Sequence, residues 1–417
     1  MTSWKRVAAW TVSLSVLLGL GGLGCKSKKP IDFAYPLDGR MALEKISPGE
    51  YPEFSFDQTQ ARNLSVAAQH SLDYLAKPSS KQFFPYLDIS HDRAVATVVA
   101  FKALLDRHAA SPMSKAELNQ VIREEFEVYR SIGGWNPQTG DFTRTVLFTG
   151  YFTPIYEASL VRTGEFQWPL YKRPADLFTS PDGISASRRL PTGEFVHYWK
   201  RDEIERGNLL AGNELVYLKS RWDAYVISVQ GSAKLRLPDG RIMEVGYAAN
   251  NGHPYISPGR RLLAEGKITR DQLSLKGLKA YFEANPQDMD KYLHLNPRFV
   301  FFMERPGGPF GSLNTPVTPW GTVATDKSVY PRAMPTFVQT DVPTATGGVA
   351  PYNGWLMDQD TGGAIRAAGR ADIYMGIGPE AEAIAGRQLH EGRFYYIAVK
   401  PELIGKYLPG RQPLAMR

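Results

Sequence analysis

Asp360 to Gly386 reads DTGGAIRAAGRADIYMGIGPEAEAIAG. An aspartate opens the stretch, glycines follow, and a second aspartate, Asp372, sits inside ADIYM, a run that otherwise reads as a buried strand. Alternation puts Ile373 and Met375 on one face and Asp372, Tyr374 and Gly376 on the other. An ionised carboxylate is costly to bury without a partner, so an acid in such a place holds its proton to higher pH. Asp372 is therefore expected to face a groove or polar pocket, with Asp360 nearby, as an acid able to donate a proton near neutral pH. GIGPEA, Gly376–Ala381, follows a strand and opens a helix with Pro379 at a suitable first position, which formally invites a nucleotide-site reading. Only one further strand, FYYIAVK, precedes the end of the chain, leaving no room for more βαβ units, so the glycines are read as a tight strand-to-helix turn.

Upstream, another β-rich segment begins at FVFFMER and includes a third acid, Asp326 in GTVATDKSVYP, whose setting suits a loop cap. The middle, from about Glu157 to Arg298, mixes strands (ELVYLK, DAYVISVQGSAKLRL, RIMEVGYA) with helices (SPGRRLLAEG, TRDQLSLKGLKAYFEA). Before it, TRTVLFTGYFTPIYEASL starts the strand-rich pattern. The N-terminal third is helical: FDQTQARNLSVAAQHSLDYLAK, with Asp57 and Gln60 as a capping box, DRAVATVVAFKALLDRHAA, and SKAELNQVIREEFEVYRSIGG, capped by Ser114 and Glu117 and stopped by Gly133. Strands on either side of a mixed middle suggest one β domain interrupted by another.

The chemistry that is absent narrows the reading. Seven histidines are dispersed without metal-ligand spacing, no GxSxG elbow occurs, and the single cysteine, Cys25, lies in the leader. No metal or other cofactor is expected. With 417 residues, 43% hydrophobic and 22% charged, the chain is an ordinary globular protein with room for two or three domains. Its net charge of +7 is a mild bias toward acidic partners such as carboxylate-bearing cell wall, and no basic block or motif supports nucleic acid.

Residues 1–25 carry Lys5 and Arg6, an apolar run from Val7 to Leu20 and then small residues, the layout of a secretory signal. Cys25 directly after it resembles the lipid-modified cysteine of a bacterial lipobox, although Gly22 stands where Leu is usual and Leu23 comes one place late. The reading is an envelope protein anchored to a membrane through Cys25 rather than spanning it.

In order along the chain, GYFTPIYEASL, GEFQWPLYKRP, VQGSAKLRLPDG, YAANNGHPY, NPRFVFF, VATDKSVYP and the opening segment resemble the membrane-bound lytic murein transglycosylase A family with its C-terminal three-aspartate domain. The resemblance covers most of Gly150 to Tyr396. It implies a mainly β, α+β chain: a double-psi β-barrel domain with N-terminal helices from 56–156 and 299–417 (three-aspartate domain about 315–398), a β domain inserted at 157–298, and a groove between them. Residues 1–25 would be the lipoprotein signal and 26–55 a linker. The implied reaction cleaves the β-1,4 bond between N-acetylmuramic acid and N-acetylglucosamine in peptidoglycan without water, leaving a 1,6-anhydromuramoyl end. The substrate's own C6 hydroxyl attacks, so one carboxyl group suffices where ordinary glycosidases need two.

By the motif, that acid is Asp372. Asp360 is carried as a second catalytic candidate, and Asp223, Gln230, Gly231, Ser232, Tyr247, Asn251, Gly252 and Asp326 as glycan contacts. Turn geometry explains Gly231 and Gly252 equally well. QGSA replaces the QGSG of many relatives, and PRAMP at Pro331–Pro335 replaces PPGT-like residues. The helix beginning at GPEAEA would favour an ionised Asp372 if its N-terminus lay close, or would bind substrate oxygens. Implied partners are peptidoglycan glycan strands and the membrane, with room for wall-remodelling proteins; the implied location is the periplasmic side of the outer membrane. Two other readings fit the same residues: a hydrolase using Asp360 as second carboxylate, and a non-catalytic peptidoglycan-binding lipoprotein.

Overall fold

The alternating segments of the last third do form strands, and in the computed structural model six strands close into a barrel; the structure describes residues 30–408 apart from 56–57, 181–184, 274, 345 and 363–364. The leader, Cys25 and Asp57 lie outside the described residues. In ring order the strands are Leu389–Val399, Pro335–Pro343, Val349–Asp360, Thr322–Ala324, Arg370–Ile377 and Val146–Thr153. The last pairs back onto the first, from Thr149 opposite Leu389 to Val146 opposite Gly392. Closure removes the free edges an open sheet would expose. Two neighbouring pairs run parallel, Arg370–Ile377 with Val146–Thr153 and Thr322–Ala324 with Val349–Asp360.

Alternation along Val349–Asp360 separates outside from inside. Trp355, Met357 and Gln359 turn toward the N-terminal helices: the Trp355 ring lies 5.0 Å from those of Phe54 and Phe101, and Gln359 Nε2 donates to the Ala67 carbonyl at 2.6 Å. Leu356, Asp358 and Asp360 therefore face the interior. There Asp358 forms an ion pair with Lys327, and its Oδ2 accepts from Thr325 Oγ1 at 2.9 Å and the Tyr396 hydroxyl at 2.8 Å. The two charged side chains are 5% (Lys327) and 0% (Asp358) exposed.

Helix His91–Ala110 docks on the same barrel through Arg93, which is buried and donates to the Val399 carbonyl at 2.8 Å and Glu127 Oε2 at 2.5 Å. The Ser114–Glu117 capping box forms as expected, but the helix it starts ends at Glu125. FEVYRS becomes a strand, Phe126–Ser131, pairing with Tyr395–Val399, because Phe126, Val128 and Tyr129 are needed in the barrel core. Gly133 is thus not a helix stop.

At Pro154 the chain leaves the barrel for a six-stranded sheet, ordered Val300–Glu304, Ile242–Asn250, Ser232–Arg236, Ile155–Ser159, Glu214–Leu218, Trp168–Tyr171, and it returns at Thr322. A three-stranded sheet, Leu177–Thr179, Ala186–Arg189 and Phe195–His197, lies within this excursion. DAYVISVQ, expected as a strand, belongs to a helix, Arg221–Gln230. Ser220 accepts from the Asp223 N–H at its start, Gly231 ends it at φ +81°, and Trp222, Tyr225 and Val226 give it a buried stripe at helical spacing.

Removing one partner of a buried ion pair costs roughly 3–5 kcal/mol, because the survivor stays desolvated. Asp358→Ala should lose stability on that scale in chemical denaturation, and Asp358→Leu combined with Lys327→Met should recover most of it; equal losses in both would refute this account of the barrel interior.

Candidate active site

The strand of the opening segment, Arg370–Ile377, takes Gly376 at φ +121° near its end, and the chain enters helix Gly378–Ala385 through Gly378 (φ +80°) and Pro379. That conformation favours glycine and accounts for GIGPEA without a nucleotide. The helix packs back on Gly150, where a Cβ would lie 2.9 Å from Met375 Cε and 3.0 Å from Ala385 Cα. This fixes the acid strand against Val146–Thr153, with Asp372 opposite Thr149 and Tyr374 opposite Tyr151.

Ala324 pairs with Asp372 on one side and with Asp360 on the other. The two acids thus stand two strand spacings apart, about 10 Å between Cα atoms. The Tyr151 hydroxyl donates to Asp360 Oδ2 at 2.9 Å although their strands are three places apart in the ring, which requires both side chains to turn toward the barrel axis. Asp372 and Tyr374 share that inward face; the Tyr374 hydroxyl lies 2.9 Å from Thr153 Oγ1, and its ring centroid 5.0 Å from that of Tyr151. Asp360, Asp372, Thr149 and Tyr151 keep partial exposure, whereas Asp358 beneath them is buried, so the cluster occupies the barrel mouth.

Burial pushes the Asp372 carboxyl up to about 7, the Asp360 charge adds to the rise, and the Thr149 hydroxyl and the Arg370 guanidinium oppose it. Asp372 Oδ1 is shielded from solvent and has no hydrogen-bond partner among the described residues. Asp360 is also raised by burial, but its oxygens are occupied: Oδ1 accepts from the Ser312 and Thr361 N–H groups at 2.8 Å each, and Oδ2 from Tyr151. Arg370, two residues before Asp372 on the same face, donates to Thr149 Oγ1 at 3.4 Å. The helix at Gly378 begins six residues beyond Asp372 along an extended strand, roughly 20 Å at 3.3 Å per residue. A helix terminus acts over about one turn, so it does not counter the raised acid.

A second wall comes from the six-stranded sheet. Ala233, Leu235, Met243 and Val245 face its core, leaving Ser232, Lys234, Glu244 and Gly246 on the opposite face. Lys234 and Glu244 form an ion pair there, and the Glu244 charge helps to raise the Tyr374 hydroxyl. The chain returning from this sheet ties it to the barrel mouth: the Gly308 N–H donates to Glu244 Oε2 at 2.8 Å and, four residues on, Ser312 holds Asp360.

Gly231, Ser232 and Tyr247 gather at one end of this wall: Ser232 pairs with Gly246, and a Cβ on Gly231 would lie 3.8 Å from Tyr247 Cβ. Tyr247 and Gln230 are exposed, and Asn250 Nδ2 donates to the Tyr247 hydroxyl at 2.5 Å. Asp223 sits in the first turn of its helix, raised by burial and by the charges of Glu382 and Glu283. Three of the expected contacts carry structural work, which for Gly252 and Asp326 is the turn and loop-cap role that their sequence setting suits. Buried Asn251 spends its amide on the carbonyls of Trp199 and Pro297 and the N–H of Phe299, all at 2.8 Å. Gly252, at φ +75°, has no room for a Cβ, which would lie 2.4 Å from the Ala186 nitrogen. Asp326 caps its loop, accepting from Ser328 and, at 2.8 Å, from the Ala367 N–H, and these bonds pull its carboxyl below the usual range. Tyr151, Thr149 and Arg370 were missed; alternation of Thr149, Tyr151 and Thr153 through VLFTGYFT was the available signal.

Residues 147–303 match the family described as the MltA specific insert domain, and residues 321–398 the 3D domain. The chain is 32% identical over 278 residues to membrane-bound lytic murein transglycosylase A of Escherichia coli strain K12, covering 65% of this chain and 70% of that protein. It is 32% identical over 374 residues to the Vibrio cholerae protein of the same name, covering 88% of this chain and 87% of that one. Its fold is that of the membrane-bound lytic murein transglycosylase from Agrobacterium tumefaciens, with TM-score 0.71, 24% identity, and coverage of 88% and 99%. Escherichia coli MltA with bound chitohexaose gives TM-score 0.65 at 23% identity, with coverage of 89% and 100%.

Because folding raises the Asp372 pKa, the native state holds this proton more tightly than the unfolded chain does. The associated stability is complete below about pH 4 and is lost as pH rises through about 7. Asp372→Asn should therefore be more stable than the parent above pH 7, by about 1–3 kcal/mol, with the gap closing toward pH 4. Thermal denaturation across pH 4–9 tests this; a gap independent of pH would show that the carboxyl does not titrate there.

Proposed function

The chain belongs to the membrane-bound lytic murein transglycosylase A family, and on that premise we propose that Asp372 is the single general acid and base of its reaction. The protein is a peptidoglycan lytic transglycosylase, a lyase. Protonated Asp372 gives its proton to the glycosidic oxygen as the bond from C1 of N-acetylmuramic acid breaks. The C6 hydroxyl of the same sugar then bonds to C1, and its proton passes to the Asp372 carboxylate, closing the 1,6-anhydro ring and restoring the acid. No water enters. The observation that carries this reading is a partly exposed residue at the barrel mouth whose carboxyl is raised to about 7 and whose Oδ1 accepts no hydrogen bond among the described residues, so that it holds a proton near neutral pH. Arg370 supports the charged form between the two proton transfers.

The glycan strand would lie between the barrel mouth and the wall carrying Gln230, Ser232 and Tyr247, whose amide, hydroxyl and aromatic face suit sugars. In this reading 157–298 is the inserted domain, 56–156 and 299–417 the barrel domain with its helices, 1–25 the signal and 26–55 a linker. Departure at Pro154 supports the first boundary, whereas strand Val300–Glu304 still pairs within the six-stranded sheet and the chain rejoins the barrel only at Thr322, which moves the second boundary later than 298. Family membership brings envelope association; among the described residues no helix is long and apolar enough to cross a membrane. We infer a lipid anchor at Cys25 on the periplasmic side of the outer membrane, supported by the leader and the KSKKP that follows it. Hydrolysis with Asp360 as second carboxylate is disfavoured, because both its oxygens already accept hydrogen bonds.

Purified protein incubated with sacculi should release muropeptides one water lighter than hydrolytic ones. Asp372→Asn should lower turnover by about 10²–10⁴-fold with the fold intact; near-normal turnover removes Asp372 from the role. Activity should fall as pH rises through about 7, where the acid loses its proton. Asp360→Asn removes a charge that raises Asp372, so this alkaline limb should move to lower pH; an unmoved limb would uncouple the two acids.

A further inference from the structure

The segment joining the six-stranded sheet back to the barrel carries a cation with no acid to pair with. Arg305 follows strand Val300–Glu304, and its backbone N–H donates to the Glu244 carbonyl at 2.8 Å, holding it beside the polar wall. Its stem lies over Gly246, where a Cβ would come within 3.1 Å of Arg305 Cδ; a side chain there would displace it. The guanidinium carbon stands 3.6 Å from the centroid of the Phe310 ring, and Nη2 donates to Asn314 Oδ1. Asn314 is two residues from Ser312, whose N–H holds Asp360. Among the described residues no carboxylate lies within ion-pair distance of Arg305, whereas Lys234 and Arg236 of the same wall are paired with Glu244 and Glu157.

Phe310 beneath and Asn314 at one edge fix the plane of the guanidinium and leave most of its five N–H donors without an acceptor. A planar fork held in this way is matched bidentately by a carboxylate. In peptidoglycan the amino-sugar backbone is neutral, and the carboxylates belong to the peptides that branch from the lactyl group of N-acetylmuramic acid. We propose that Arg305 binds a carboxylate of the peptide stem on a sugar bound beside the cleavage site, making it a determinant of preference for peptide-bearing over bare glycan. Burial of the guanidinium lowers its pKa with no neighbouring acid to compensate, as expected of a cation that gains its counter-charge from the ligand.

This inference rests on the peptidoglycan reading, and the experiment separates the two. Wild type, Arg305→Met and Arg305→Lys are assayed on intact sacculi and on glycan stripped of peptides by an amidase, with the lactyl carboxylates that this frees capped as methylamides, and anhydro ends are counted. On sacculi, Arg305→Met should raise KM by roughly tenfold, the loss of one charge-assisted pair. The rise on stripped strands should be several-fold smaller, and Arg305→Lys should fall between. The wild-type preference for sacculi should shrink with added salt. Equal KM changes on the two substrates, including no change on either, would overturn the assignment while leaving the activity in place. Failure of the wild type to form anhydro ends on either substrate would defeat the functional reading itself. Unchanged thermal unfolding of the variants separates loss of binding from loss of fold.

Discussion

Pairing of Leu389–Gly392 with Val146–Thr149 closes six strands into a ring, and the chemistry depends on that closure. An open sheet would leave Asp372 on a solvated face, where its carboxyl would titrate near its ordinary value. Closure gives the strands an interior, and the strand period decides which residues enter it. A shift of one residue between Arg370–Ile377 and Val146–Thr153 would turn Asp372 outward and Ile373 inward. That register is held from outside by helix Gly378–Ala385 on Gly150, so a glycine on the outer face of the barrel helps to fix the orientation of Asp372.

The interior carries polar layers at two levels, and these differ in function. At the deeper level the Lys327–Asp358 charges neutralise each other, with Thr325 and Tyr396 completing the acceptors of Asp358. At the mouth Asp360 is held by two backbone N–H groups and Tyr151, and next to it Asp372 keeps one oxygen free. The gradient runs from satisfied to unsatisfied as it approaches the surface. Satisfied charges lie at the deeper level and the uncompensated group stands at the mouth, the usual division between a scaffold and a strained site.

Much of this was legible in the sequence where periodicity and turn chemistry agree. ADIYM alternates, GIGPEA carries its glycines at positive φ, and Ser114 with Glu117 makes its box. The failures have physical causes. SKAELNQVIREEFEVYRSIGG runs a helical pattern straight into a strand without a breaker, and only demand from the barrel core for Phe126 and Val128 decides the change. DAYVISVQ is β-branched enough to read as strand, yet Ser220 and Gly231 cap it as a helix. Asn251 was carried as a glycan contact, and its amide is taken up by the Trp199 and Pro297 carbonyls and the Phe299 N–H, which depends on tertiary neighbours, whereas the loop-cap role of Asp326 was legible in TDKS. Tyr151 was invisible as a partner of Asp360 because 209 residues separate them and the ring geometry brings them together.

A single acid serving twice, the role proposed for Asp372, sets a narrow requirement on its surroundings. If Asp372 were ion-paired, as Asp358 is, it would stay charged and could not start the reaction. If it were buried without any cation nearby, it would hold its proton and could not let go. Arg370 beside it, in hydrogen-bond contact with Thr149 and without a salt bridge to Asp372 among the described residues, meets the condition between these extremes: enough positive potential to tolerate the carboxylate for the lifetime of the intermediate, too little to fix it. The return of the C6 proton is favourable because the restored acid is the form its burial prefers, so the environment that makes Asp372 uncomfortable as an ion also drives the second transfer.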